Sequence, residues 1–282
     1  MISATELKLR IEAANALLEH CRVCPRECGV NRLKNDKLGF CRSGRDVIVS
    51  SASPHQGEEP PISGSKGSGT VFFSNCNLRC VYCQNYPISQ MGHGEQKTPA
   101  ELACLMLRLQ EQGCHNLNLV TPTHFMPQIL ASLDIAVERG FRLPVVYNTS
   151  GYESVEALRL LEGVVDIYLP DMRYADDAAA LRYSLAPGYP ATNRAAVREM
   201  FRQVGNLVTD ESGIAKRGLI VRHLVLPGGI SGTEAVMKFL AEEISKDVFI
   251  SLMSQYFPAY KSSAFNEINR RIMRQSTMKL MK

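Results

Sequence analysis

Cys76-Asn77-Leu78-Arg79-Cys80-Val81-Tyr82-Cys83, directly after the apolar run Thr70-Val71-Phe72-Phe73, is the stretch on which the fold turns. Its three thiols sit at positions i, i+4 and i+7 of a loop that follows a strand. Three close thiolates can hold three corners of an iron–sulfur cube. An electron-transfer cluster takes a fourth protein ligand, and no further cysteine lies nearby. A free iron corner can bind a small molecule directly, as open positions on catalytic metals do. A zinc knuckle, a redox-active Cys80-x-x-Cys83 pair and buried structural cysteines are the other readings. Zinc wants a fourth ligand, and a redox pair leaves Cys76 unexplained.

The rest of the chain sets the frame. Its 282 residues suffice for one large α/β domain with a small appendage. A hydrophobic fraction of 45% and a charged fraction of 21% are those of an ordinary globular protein. The net charge of +4 is too small to argue for nucleic acid or a membrane surface as partner. No apolar run reaches the length of a membrane span, and the N-terminus lacks a signal-peptide pattern. Nine cysteines without such a signal point to a reducing compartment, hence the cytoplasm, and to metal ligation.

Upstream, Ser3-Ala4-Thr5-Glu6 reads as a capping box opening a helix with Leu7, Ile11, Ala14 and Leu18 on one face. The helix runs into Cys21, Cys24, Cys28 and Cys41, four thiols in a segment with little apolar content. So small a unit needs a metal staple, with zinc and a second iron–sulfur cluster both open as its metal. Reduced loop cysteines are the plainer alternative. Arg22, Arg26, Arg32 and Arg42 are expected to offset the thiolate charge. Val47 to Ala52 reads as a short strand, and His55, Glu58 and Glu59 in the turn-rich stretch behind it as solvated loop polars. The expected division is a helix plus Cys-rich extension over 1–62, a barrel over 63–260, and a basic tail or helix over 261–282. That basic end reads as a truncation or a frayed helix.

Downstream, apolar strands recur at Thr70–Ser74, Asn116–Val120, Leu143–Tyr147, Val164–Leu169, Leu219–Leu226 and Val248–Leu252. Thr98-Pro99-Ala100-Glu101 opens a helix that stops at Gly113, and others are expected over Pro127–Arg139, Val155–Leu161, Ala195–Val204 and Thr233–Ile244. Buried strands alternating with amphipathic helices make a parallel sheet covered on its outside, and six units suit a partial (β/α)6 barrel. Asn206 to Lys216 reads as an inserted hairpin. Cys104 and Cys114 are read as core or boundary residues. Barrel chemistry gathers at the carboxyl ends of strands. There the sequence puts Thr121-Pro122-Thr123-His124, Asn148-Thr149-Ser150-Gly151, Asp171-Met172-Arg173, and Arg222-His223.

The cysteine spacing, with Tyr82 before the last thiol, resembles the signature of the radical S-adenosylmethionine (SAM) enzymes. Asp171-Met172-Arg173 resembles the Asp-x-Lys of the pyruvate formate-lyase activating enzyme branch. Asn148, Ser150 and Gly151 resemble its Thr-Asn-Gly, and Val221-Arg222-His223 with Pro227-Gly228 its Val-Arg-Tyr…Pro-Gly strand. The N-terminal Cys-x-x-Cys-Pro-Arg-x-Cys segment and Glu58-Glu59-Pro60-Pro61 look like an uncharacterised activase-like branch. The resemblance implies a partial (β/α)6 barrel with a [4Fe-4S] cluster on Cys76, Cys80 and Cys83. It also implies SAM as cofactor, held by Tyr82, Asn148, Ser150, Asp171, Arg173 and Arg222. Thr123 or His124 stands where Gly-Gly-Glu usually holds the SAM amino group. The implied activity is reductive cleavage of SAM to a 5′-deoxyadenosyl radical that takes hydrogen from a protein or peptide, with flavodoxin or ferredoxin as reductant. Modification of a peptide or small molecule, with the N-terminal metal site as relay or substrate ligand, is the close alternative. A noncatalytic iron–sulfur scaffold or electron carrier is the distant one.

Overall fold

The computed structural model describes residues 2–34 and 39–272. The chain opens with helix α1 (Ala4–Glu19), passes the N-terminal cysteines, and enters strand β1 (Val47–His55) and the single turn α2 (Pro60–Ser63). Next come β2 (Ser68–Phe73), the cysteine loop, α3 (Tyr86–Ser89), β3 (Glu95–Lys97) and α4 (Pro99–Glu111). The βα alternation follows as β4 (Leu117–Val120), α5 (Met126–Glu138), β5 (Val145–Thr149), α6 (Val155–Arg159) and β6 (Ile167–Pro170). Two helices, α7 (Asp177–Ser184) and α8 (Tyr189–Val204), precede the short β7 (Val208–Thr209). The last elements are β8 (Ala215–Leu224), α9 (Thr233–Phe239) and β9 (Phe249–Met253).

The strands form one sheet in the order β3-β1-β2-β4-β5-β6-β8-β7, with β9 also on β8. The six strands β2, β4, β5, β6, β8 and β9 run parallel, each to the next in that order. Among the described residues no pairing joins β9 back to β2, so the α/β barrel is partial and unclosed, as expected from the sequence. β1 adds antiparallel to the β2 edge, and β3 to β1. The hairpin expected before the fifth parallel strand is β7 on β8. The expected tail over 261–282 lies outside the described residues beyond 272.

Local chemistry sets the boundaries. Thr98 and Glu101 form a complete capping box on α4, with Pro99 opening the helix. The box expected on α1 forms only by half. Ser3 Oγ accepts from Glu6 N at 3.2 Å, while the Glu6 carboxylate turns to Arg10 at 2.8 Å. Leu7, Ala14, Leu17 and Leu18 are the buried face of α1 and join the apolar layer between helices and sheet. Side-chain alternation splits each strand: Val145 and Tyr147 enter that layer, while Val146 joins Ile167, Leu169, Ile220 and Ile62 inside the barrel. Asn148, Asp171 and Arg222 lie two residues beyond Val146, Leu169 and Ile220, so they share the inner face at the carboxyl ends.

Candidate active site

The cysteine loop folds into the mouth of this barrel. Cys76 and Cys80 are buried, Cys83 is half-buried, and all three are free thiols. Each sulfur has a hydrogen-bond partner. Leu78 N donates to Cys76 Sγ at 3.3 Å, Ser184 Oγ donates to Cys80 Sγ at 3.0 Å, and Cys83 Sγ meets Ser89 Oγ at 3.1 Å. Burial, then repulsion from Cys80 and Cys83, pushes the Cys76 thiol up to about 12. Burial also raises Cys83. Three close thiols that repel one another as thiolates suit a cationic metal core, which deprotonates thiols and takes up their charge.

Cys83 opens on a cavity of about 150 Å³ lined also by Tyr82, Asp171, Arg173 and Arg222. Asp171 Oδ2 pairs with Arg173 Nη2 at 2.5 Å, and Oδ1 lies 3.6 Å from Arg222 Nε. Arg173 Nη1 reaches to 4.0 Å from Cys80 Sγ, and its buried Nε has no hydrogen-bond partner among the described residues. The Tyr82 hydroxyl meets that of Tyr174 at 2.6 Å, and its ring packs edge-on against Tyr256. Asn148 touches Arg222 Nη1 and Glu58 Oε2, both at 3.5 Å. The structure thus gathers Tyr82, Cys83, Asn148, Asp171, Arg173 and Arg222 at one mouth.

Other expected residues stand apart from it. Thr123 and His124 are buried and partnered below the mouth. Thr123 Oγ1 donates to Glu153 at 2.5 Å, and His124 Nε2 donates to Ser74 O at 2.9 Å. Burial holds His124 neutral, its pKa down at about 3. Ser150 is buried and contacts Asn77 Oδ1 at 3.4 Å. Gly151 has φ +72°, and a Cβ there would collide with Asp171 O and Asn193, so its role is close packing. Thr121 takes φ +60°, the left-handed backbone that a glycine adopts freely.

Three residues read as loop polars stand at the mouth: His55, Glu58 and Glu59 line a second cavity of about 440 Å³ adjoining the first. β1 carries them there by pairing along β2, a contact that no local pattern announces. Tyr174 and Ser184, which link Tyr82 to Cys80, also escaped sequence reading because Ser184 ends the unexpected α7.

The N-terminal cysteines pack behind the loop. Cys21, Cys24 and Cys41 are buried, and burial, then Cys41 and Cys21 among other groups, raises the Cys24 thiol. Cys28 Sγ accepts from Phe40 N at 3.3 Å. Among the described residues no three His, Cys, Asp or Glu side chains converge on a single ion, at either cysteine group. Ligands of a cluster bind separate irons and need not converge. The arginines beside the N-terminal thiols bind carbonyls. Arg26 donates to Asn77 O at 2.9 Å and Leu185 O at 2.5 Å, Arg32 to His124 O at 2.6 Å, and Arg42 to Gln90 O. Of these, Arg32 also lowers Cys21, against the larger effect of burial.

A family model described as the Radical SAM superfamily matches residues 70–252. An uncharacterised protein of Methanocaldococcus jannaschii is 32% identical over 276 residues, spanning 94% of this chain and 74% of that protein. A second from the same organism is 27% identical over 158 residues, 50% of this chain and 46% of its own length. Among solved structures, a radical SAM methyltransferase from Sphaerobacter thermophilus is similar at 16% identity with a TM-score of 0.50. That likeness of fold covers 75% of this chain and 61% of that one. No helix among the described residues is long and apolar enough to cross a membrane.

Proposed function

The chain belongs to the radical SAM superfamily, and on that footing we propose that it cleaves SAM reductively and abstracts hydrogen from a protein or peptide, in the manner of the pyruvate formate-lyase activating enzyme. One observation carries this reading. Three free thiols, two buried and one half-buried, open through Cys83 on a polar cavity that also holds Asp171, Arg173 and Arg222. When bound, a [4Fe-4S] cluster on Cys76, Cys80 and Cys83, together with SAM, supplies the 5′-deoxyadenosyl radical. The protein's part is binding, orientation and exclusion of water. Asp171 is fixed by Arg173 and Arg222, so its carboxylate is pre-set to accept hydrogen bonds. The unpartnered Arg173 Nε is a donor in reserve for an anionic group. The Tyr82 ring, buried beside Tyr256, gives an apolar wall next to the last thiol. The activase-like specificity is supported by the Asp171-x-Arg173 strand end and by Asn148 at the same mouth.

The reading extends to a second metal site, zinc or iron–sulfur, on Cys21, Cys24, Cys28 and Cys41. Its support is the burial of three of those thiols and their electrostatic influence on one another. A flavodoxin or ferredoxin as electron donor and a cytoplasmic setting complete the proposal.

Anaerobic reconstitution with iron and sulfide, reduction, and assay of 5′-deoxyadenosine from added SAM test it. The triple variant Cys76→Ala/Cys80→Ala/Cys83→Ala runs beside the native chain, with iron and zinc counted in both. Deoxyadenosine is expected only with the triad intact, together with loss of the triad's iron and visible absorbance in the variant. An assembled cluster that leaves SAM intact under strong reduction would sink the reading.

A further inference from the structure

Two cavities meet at the barrel mouth, sharing Asn85, Arg222, Met253 and Gln255. Cys83, Asp171 and Arg173 line only the smaller one. His55, Glu58 and Glu59 line only the larger, together with Phe72, Val120 and Asn148. A cofactor chelated to the cluster is anchored at the thiol end, so Glu58 and Glu59, which line the larger cavity and not the smaller, are left for the substrate.

We propose that this larger cavity receives a primary ammonium group of the substrate between Glu58 and Glu59. The inference rests on the radical SAM reading of the smaller cavity. Glu59 Oε1 lies 3.2 Å from Arg222 Nε, but its Oε2 is buried and has no hydrogen-bond partner among the described residues. The residue is only 9% exposed. It occupies the N-cap position of α2, yet its side chain makes no capping bond and lines the cavity instead. A buried carboxylate oxygen without a donor is unfavourable, and a cationic donor restores the missing bond.

The charges around it sharpen the assignment. Asp171 is matched by Arg173, and Glu59 by Arg222. That leaves Glu58, whose Oε1 lies 2.9 Å from His55 Nδ1 and whose Oε2 has, among the described residues, only a 3.5 Å contact with Asn148. The cavity thus holds Glu58, with no arginine or lysine partner among the described residues, beside the orphaned carboxylate oxygen of Glu59. An alkylammonium carries one positive charge and three N–H donors, enough for both. The acidic pair is also pre-set. Glu58 N donates to Ser63 Oγ at 2.9 Å, tying the turn to the buried end of α2. A rigid site loses little freedom when it binds.

Calorimetric titration of the anaerobically reconstituted protein with Nα-acetyl-lysine amide and with its neutral Nα,Nε-diacetyl counterpart tests this directly. The charged probe is expected to bind at least tenfold more tightly. Glu58→Gln and Glu59→Gln are each expected to cut that margin to about threefold or less. Equal affinity of the native protein for the two probes overturns the proposal without any variant. A margin that survives in both variants overturns it too. Spermidine separates the sources of the same chemistry: tighter binding than the lysine probe names a free polyamine, weaker binding a peptide side chain. Native 5′-deoxyadenosine formation, assayed in parallel, reports on the radical SAM reading alone. Its presence with equal probe affinities removes only the ammonium site.

Discussion

A line of hydroxyls runs from Tyr82 through Tyr174 at 2.6 Å and Ser184 at 2.7 Å to the sulfur of Cys80 at 3.0 Å. Hydrogen bonds to cluster sulfurs favour the reduced, more negative state and so help to set its potential. Ser184→Ala should therefore lower the potential of the reconstituted cluster by tens of millivolts, read by redox titration of its EPR signal. An unchanged midpoint would mean that Ser184 only packs. Glu153 makes a second prediction at this scale. Burial pushes its carboxyl from 4.5 up to about 7, against hydrogen bonds from Thr123 and Thr149. The folded chain thus holds this proton more tightly than the unfolded one. The resulting stability is full below about 4.5 and is lost as pH rises through about 7, a span worth roughly 3 kcal/mol. Glu153→Gln stays neutral throughout, so its stability relative to the native chain should climb across that window in urea melts. A difference that stays flat with pH would show an ordinary carboxyl.

Among the elements, the segment from Cys21 to Arg42 grips the cysteine loop from behind. Arg26 lies 3.7 Å over the Phe40 ring while bonding Asn77 O and Leu185 O, and Arg79 stacks on the same ring at 4.6 Å. Arg26→Ala removes two charge-assisted bonds and a cation–π contact. A loss of about 2–3 kcal/mol in the urea transition is expected, with faster iron release to a chelator. Iron release at the native rate would mean that the grip does not support the loop. Much of the element plan was legible beforehand. The six parallel strands announced themselves as apolar runs, and the cysteine loop by spacing alone. What stayed hidden depended on partners distant in sequence. α7 spans only eight residues, too short to show a clear helical period, and α8 starts at Tyr189, ahead of the expected Ala195, because Pro190 opens a helix there. His55, Glu58 and Glu59 looked like turn residues, since only the antiparallel pairing of β1 brings them to the mouth.

For the molecule as a whole, the question is whether the N-terminal segment is an appendage or part of the barrel's own core. Leu7, Leu17, Leu18 and Val23 are buried in the same apolar cluster as Ile129, Leu130 and Leu133 of α5. Burying these four side chains contributes roughly 6–12 kcal/mol at about 1.5–3 kcal/mol each. That is comparable to the net stability of a typical domain, about 5–15 kcal/mol. Polar bonds act in the same sense. Arg32, only 1% exposed, ties Gly44 O to His124 O, and so joins the entry to β1 to the turn after β4. Without the first 44 residues, α5 would face water and His124 O would lose its arginine donor. A chain starting at Arg45 should therefore show no cooperative urea transition by circular dichroism, and its reconstitution should yield no stable cluster. A cooperative transition at the native midpoint would show the opposite: a barrel stable alone, with its N-terminal cysteines free to serve the site without building it.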